Sequence, residues 1–172
     1  MATSKITHII CYDDHRNYTE SIRKRFSDNT RYLVTSFHNK DQFIGHCEEL
    51  ANINLCVVAI IGFTESVEKI DMLNEFIGRV KETLPGRGII LLVQPINLQK
   101  IKGALNQKVD ALIPINNNMV LRIHNVVKRF ISEFNIIIFK RRRNRAFIAV
   151  ALFIALMLAA FLFFFFRYPM YF

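Results

Sequence analysis

After Glu133 the chain has no acidic residue, and between Met119 and Phe166 it has neither proline nor glycine. The first absence leaves the basic residues of that region unbalanced, and the second leaves nothing that breaks a helix. Cysteine is also sparse. Cys11, Cys47 and Cys56 are odd in number and share no CxxC spacing, which argues against a disulfide framework or a zinc ribbon and for reduced core thiols in a cytosolic compartment. Of the six glycines only Gly86 and Gly88 stand close together, so there is no glycine-rich phosphate loop. His8, His38, His46 and His124 share no ligand spacing, and His124 reads as a structural histidine among apolar neighbours. Ser132 and Thr64 lack an adjacent base and acid, so no enzymatic activity, catalytic residue or cofactor is expected.

What is present is most pronounced at the C-terminal end. Residues 146–166 contain no charge and no proline, and Lys140, Arg141, Arg142, Arg143 and Arg145 directly precede them. At about 1.5 Å per residue this stretch covers roughly 32 Å as a helix, enough for a hydrocarbon core. The basic cluster predicts that the N-terminal side stays in the cytosol. A single-pass protein of a bacterial inner membrane is therefore expected, with domains at 1–134, a basic juxtamembrane helix at 135–145, the span at 146–166 and a short non-cytoplasmic tail at 167–172. A eukaryotic tail-anchored protein would have the same topology. No apolar stretch with a small-residue cleavage site stands at the start, so no cleaved signal peptide is expected.

Six of the 23 basic residues lie after Asn135 and none of the 14 acidic ones does, leaving +3 for the preceding part of a chain whose total is +9. Most of the excess then belongs to topology and to anionic headgroups, so nucleic acid is not an expected partner. Within the span, Ala151, Ala155 and Ala159 recur every four residues. They are either a face for close helix packing or the ordinary alanine content of a membrane helix. Ile136, Ile137 and Ile138 are either the interfacial start of that helix or an apolar collar that another subunit covers.

The first 134 residues suit one domain with a core of its own. Apolar runs at 6–12, 55–61 and 89–93, with weaker ones at 32–37 and 111–115, read as strands. Between them lie amphipathic stripes: Tyr18, Ile22 and Phe26; then Phe43, Ile44, Cys47 and Leu50 behind Asn39 as cap; then Val67 to Leu84, stopped by Pro85 and Gly86; then Leu98, Ile101 and Leu105. A last stripe opens at Asn118 and runs on through Phe134, and it can continue into the span as one rod of roughly 70 Å. Strict alternation predicts an α/β fold, a five-stranded parallel doubly wound sheet with five helices, whose functional crevice lies at the carboxyl ends of the strands.

Three pieces of sequence give this pattern a family likeness: Asp13 and Asp14 closing the first strand, Asn54-Leu55-Cys56-Val57-Val58 entering the third, and Val109-Asp110-Ala111-Leu112-Ile113-Pro114 leading through the fifth. Over residues 5–134 the chain resembles a response-regulator receiver domain of the chemotaxis-regulator type, a flavodoxin-like fold. The resemblance implies that the acidic pair helps hold a divalent metal, that an aspartate ending strand three accepts phosphate, that a Ser or Thr ends strand four and that a Lys ends strand five. The matching positions here are Ala59, Val93 or Gln94, and Ile115, none of which supplies that chemistry. The resemblance is thus to a degenerate pseudo-receiver. Asp13 and Asp14 with His15 either still bind a cation or are solvated carboxylates, Asp14 capping the first helix; with no third carboxylate, no metal site is expected.

The expected function is a membrane-anchored, phosphorylation-independent interaction protein: a scaffold or accessory subunit of an inner-membrane complex, with the bilayer, other membrane subunits or a second copy as partners. The alternative is a signalling module that binds a nucleotide or small anion at the strand-end crevice without catalysis.

Overall fold

The computed structural model describes residues 6–13, 18–27, 31–53, 55–64, 69–106 and 109–167, with side chains of the last helix described as far as Ala159 and not at Arg141. The elements run β1 (Thr7–Tyr12), α1 (Thr19–Ser27), β2 (Tyr32–Phe37), α2 (Lys40–Ala51), β3 (Cys56–Phe63), α3 (Ile70–Thr83), β4 (Gly88–Val93), a 3₁₀ turn (Pro95–Asn97), α4 (Leu98–Ala104), β5 (Ala111–Pro114) and α5 (Met119–Arg167). The five strands form one parallel sheet in the order β2-β1-β3-β4-β5. That is the expected flavodoxin-like arrangement. The chain divides into two compact units, Met1–Ile131 and Ser132–Phe172.

β3 is central because its sequence, CVVAIIGF, can be buried on both faces, and seven of its eight residues are. The pleat then sorts the core into two layers. Ile10, Tyr12, Ala59, Ile61, Ile89 and Leu91 pack with the apolar stripes of α2 and α3 in one continuous cluster. On the opposite face the buried residues Ile9, Cys11, Val58, Ile60, Ile90 and Leu92 meet α1 and the start of α5, which buries Met119, Ile123, Val127 and Phe130 at helical spacing.

Local chemistry sets the ends of the elements. Asn39 caps α2, its Oδ1 accepting from the amides of Asp41 at 2.8 Å and Gln42 at 3.4 Å. α3 stops before Pro85, and Gly86 takes a φ of 70° in the turn that follows. From that turn the guanidinium of Arg87 donates to the carbonyls of Leu55 and Ile53, tying the approach to β3 down. Asn74, buried within α3, acts as a piece of backbone: its Nδ2 donates to the Ala104 carbonyl at 3.2 Å and its Oδ1 accepts from the Asn106 amide at 3.0 Å.

The structure shifts several sequence boundaries. β3 runs two residues beyond Ile61, to Phe63, while β5 ends at Pro114 and not at Ile115. Val67, expected to begin the third helical stripe, lies outside the described residues, and α3 begins at Ile70.

The second unit is the continuation of the 49-residue helix α5. Most of its described side chains are exposed, among them Phe139 at 67% and Leu156 at 70%, while Phe134 and Ile138 are half-buried. Among the described residues no helix is long and apolar enough to cross a membrane. Of the segment expected to do so, 146–166, side chains are described only through Ala159, and Phe161 and Phe163 to Phe166 lie beyond them.

Candidate functional site at the strand ends

Asp13 leaves β1 at the carboxyl edge of the sheet, and its amide still donates to the Phe37 carbonyl at 3.1 Å. The side chain is not solvated, as one sequence reading had it, but is only 4% exposed. Its Oδ2 accepts from the Tyr18 amide at 2.9 Å and from the Thr19 hydroxyl at 3.3 Å. Tyr18 is the residue whose carbonyl receives the first helical bond of α1, from the Ile22 amide. The carboxylate therefore satisfies an otherwise orphaned amide at a helix N-terminus, where negative charge is also favoured by the helix dipole. Asp13 caps α1 in this way; Asp14, which the sequence offered as a cap, and His15 lie outside the described residues. His38 completes the arrangement, its Nδ1 lying 2.7 Å from the Asp13 carbonyl. A carbonyl can only accept, so Nδ1 carries the proton.

The position beside Asp13 on β3 is Gly62. A Cβ built there would lie 3.6 Å from Asp13 Oδ1 and 3.4 Å from the Tyr12 carbonyl. The match that placed the acceptor position at Ala59 is corrected by this register. Ala59 is the fourth residue of the strand, pairs with Ile10 and Ile89, and is wholly buried in the α2–α3 layer. Its methyl group is three residues short of the sheet edge. Ala59 came from matching the receiver pattern and not from the apolar run, which ends at Ile61, and the strand itself carries on to Phe63.

The other two positions sit near the edge. Val93 is the last residue of β4, fully buried and paired with Phe63 and Pro114, and Gln94 follows it exposed. Ile115 is one residue past β5 and donates its amide to the Val93 carbonyl at 2.8 Å. Among the described residues at this edge, Asp13 is the one carboxylate near Gly62, and no group of three ligating side chains is placed to hold a metal.

A cleft bounded by Tyr12, Phe63, Phe76, Lys40 and Lys69 opens beside Gly62, with a volume of about 20 Å³. That is space for one water molecule, whereas pockets for organic ligands run to several hundred Å³. A larger groove of about 390 Å³ lies between α4 and the edge strand β5, floored by Leu98, Leu105, Val109 and Leu112 with Lys102 and Asp110 beside them. The sequence supplies its residues as a helical stripe, Leu98 and Leu105, and as the segment Val109 to Leu112, but only the fold brings the two together.

The thiols are chemically quiet. Burial, and then the nearby charge of Asp13, pushes Cys11 up to about 12; burial and then Glu48 do the same for Cys47. Cys56 is raised by burial and partly relieved by Arg87 and a hydrogen bond to Thr7. A thiol with such a pKa is neither a nucleophile nor a metal ligand at neutral pH. His124 packs its ring 5.6 Å from that of Phe26, and burial, Lys128 and Arg25 lower its pKa.

No family model and no curated protein matches the chain. Several solved structures share its fold. The chain is similar to the adenylate cyclase from Rhodopirellula baltica at 14% identity and a TM-score of 0.56, over 80% of this chain and 96% of that one. It is similar to a putative pilus assembly-related protein from Burkholderia pseudomallei at 12% identity and a TM-score of 0.55, over 77% and 94%. It is also similar to the REC domain of AraT, a response regulator from Geobacillus stearothermophilus, at 12% identity and a TM-score of 0.53, over 76% and 96%. At these identities the likeness speaks to fold alone, and the fold is that of a response-regulator receiver domain.

Proposed function

We propose that this protein is a phosphorylation-independent receiver module, a pseudo-receiver, held at a membrane by residues 146–166 and acting as a scaffold or accessory subunit of an inner-membrane complex. The observation that carries the reading is the pairing of Asp13 with Gly62. Where a receiver requires a carboxylate to accept phosphate there is no side chain, and the neighbouring carboxylate is committed to the N-terminus of α1. Transfer to a carboxylate needs an ionised oxygen beside a metal and a balancing cation, and among the described residues neither Gly62 nor Ile115 supplies the carboxylate or the lysine. The protein is accordingly read as non-enzymatic.

Membrane anchoring rests on the sequence of residues 146–166 and the basic residues before it, which orient the receiver unit toward the cytoplasm. The likeness to a putative pilus assembly-related protein suits a role in an envelope assembly. The groove between α4 and β5 is the surface available to a protein partner, and the packing face at Ala151, Ala155 and Ala159 is the surface available within the bilayer. The volume beside Gly62 weighs against a bound nucleotide.

Incubating the chain with a small phosphodonor and magnesium, followed by intact-mass measurement, tests the first half of the proposal. No mass gain is expected, and a stoichiometric phosphoryl group at any strand-end residue refutes it. Alkaline washing of membranes tests the second half, because an anchored chain stays with the bilayer.

A further inference from the structure

The charges that precede the apolar segment encircle the helix. Lys140, Arg142, Arg143 and Arg145 are all exposed on one continuous α-helix. At about 100° per residue they fall at roughly 0°, 200°, 300° and 140° around the axis. The widest gap between neighbouring charges is roughly 140°, so they are not gathered on one face. The apolar side chains that follow are spread in the same way: Phe147, Ile148, Val150, Leu152, Phe153 and Ile154 are each more than half exposed and cover every direction around the axis.

A helix that lies in the plane of a membrane divides lengthwise into one charged and one apolar face. This one divides crosswise, a ring of cations followed by a cylinder of hydrocarbon, and such an arrangement satisfies its charges only when headgroups surround it on all sides. Between Asn135 and Phe172 there is no Asp or Glu to balance the ring locally. We propose that the ring formed by Lys140, Arg142, Arg143 and Arg145 is a binding collar for anionic phospholipid, which the helix meets end-on and gathers into an annulus around itself. This inference rests on the membrane anchor proposed above and adds the class of lipid and the mode of entry. Each such side chain near an anionic surface contributes roughly a fivefold preference.

The full-length chain, reconstituted in vesicles of phosphatidylcholine and phosphatidylglycerol in equal parts and released in mild detergent, tests it by mass measurement of the lipid that stays bound. Phosphatidylglycerol is expected in excess of phosphatidylcholine by about fivefold or more, and the excess should fall as salt is raised before release. Replacing Lys140, Arg141, Arg142, Arg143 and Arg145 with Gln should bring the two lipids to parity, whereas R142K, R143K and R145K together should preserve the excess because charge is retained. Equal retention of both lipids by the unmodified chain overturns the proposal, as does an excess that survives both salt and the Gln variant. If the Gln variant does not insert, the salt response of the unmodified chain decides. An alkaline wash separates the two layers of argument: a chain that leaves vesicles of either composition has no anchor, and one that stays without lipid preference has an anchor and no collar. Binding to phosphatidylglycerol vesicles alone, reversed by salt, means that the helix lies on the surface and refutes end-on entry.

Discussion

Gly88 lies directly beneath the ring of Phe130: a Cβ on this residue would come within 2.5 Å of two ring carbons. The contact joins the start of β4 to the fourth buried residue of the α5 stripe, so the absence of a side chain on a strand sets how closely a helix can approach the sheet. Gly88→Ala is expected to destabilise the receiver unit by about 1–3 kcal/mol, since the ring must shift or the helix must lift. Gly62→Ala is the control, because its Cβ would make only ordinary contacts. Urea titration of the two variants should show a lower midpoint for Gly88→Ala and an unchanged one for Gly62→Ala.

Aspartate introduced at two positions of β3 tests which of them stands at the sheet edge. Ala59→Asp places a carboxylate in the fully buried α2–α3 layer, where nothing solvates it, and should leave little folded protein. Gly62→Asp should fold, with its new carboxylate near Asp13. Circular dichroism and solubility distinguish them. Two equally well-folded variants would contradict the register.

Removing the Asp13 carboxylate should act through α1 and not through a metal. Asp13→Ala leaves the Tyr18 amide and the Thr19 hydroxyl without their acceptor, at a cost of about 1–3 kcal/mol. Magnesium should not change the stability of either the variant or the parent. A magnesium-dependent rise in melting temperature confined to the parent would show that Asp13 is a ligand.

His124 supplies a pH response whose sign follows from its surroundings. Its folded pKa is lowered from 6.5, so below that value the unfolded chain takes up the proton more readily and stability declines as pH falls. His124→Gln should flatten the stability profile as the pH falls below 6.5. His8, whose pKa is also lowered, by burial first and then by His46, should retain its own share of the slope. Denaturation midpoints for parent and variant across this range give the comparison.

Alternation of apolar runs with helical stripes was enough to place all five strands and their helices, because each stripe must bury one face and the strand periods differ from the helical one. Asn39 as the cap of α2 and the stop at Pro85 were likewise legible, since capping is settled within three or four residues. The site was not legible in this way. The likeness to the receiver pattern pointed to Ala59, but which residue of β3 stands beside Asp13 depends on the register between two strands more than forty residues apart in sequence, and the pleat alternates the face with every residue. The commitment of Asp13 to Tyr18 and Thr19, the two hydrogen bonds of Asn74 with Ala104 and Asn106, and the fit of Phe130 over Gly88 are likewise contacts between elements. The composition of residues 140–159 belongs to the sequence alone, because hydrophobicity and charge need no partner to be read; the side chains that meet at the strand ends are set by packing, which only the tertiary structure decides.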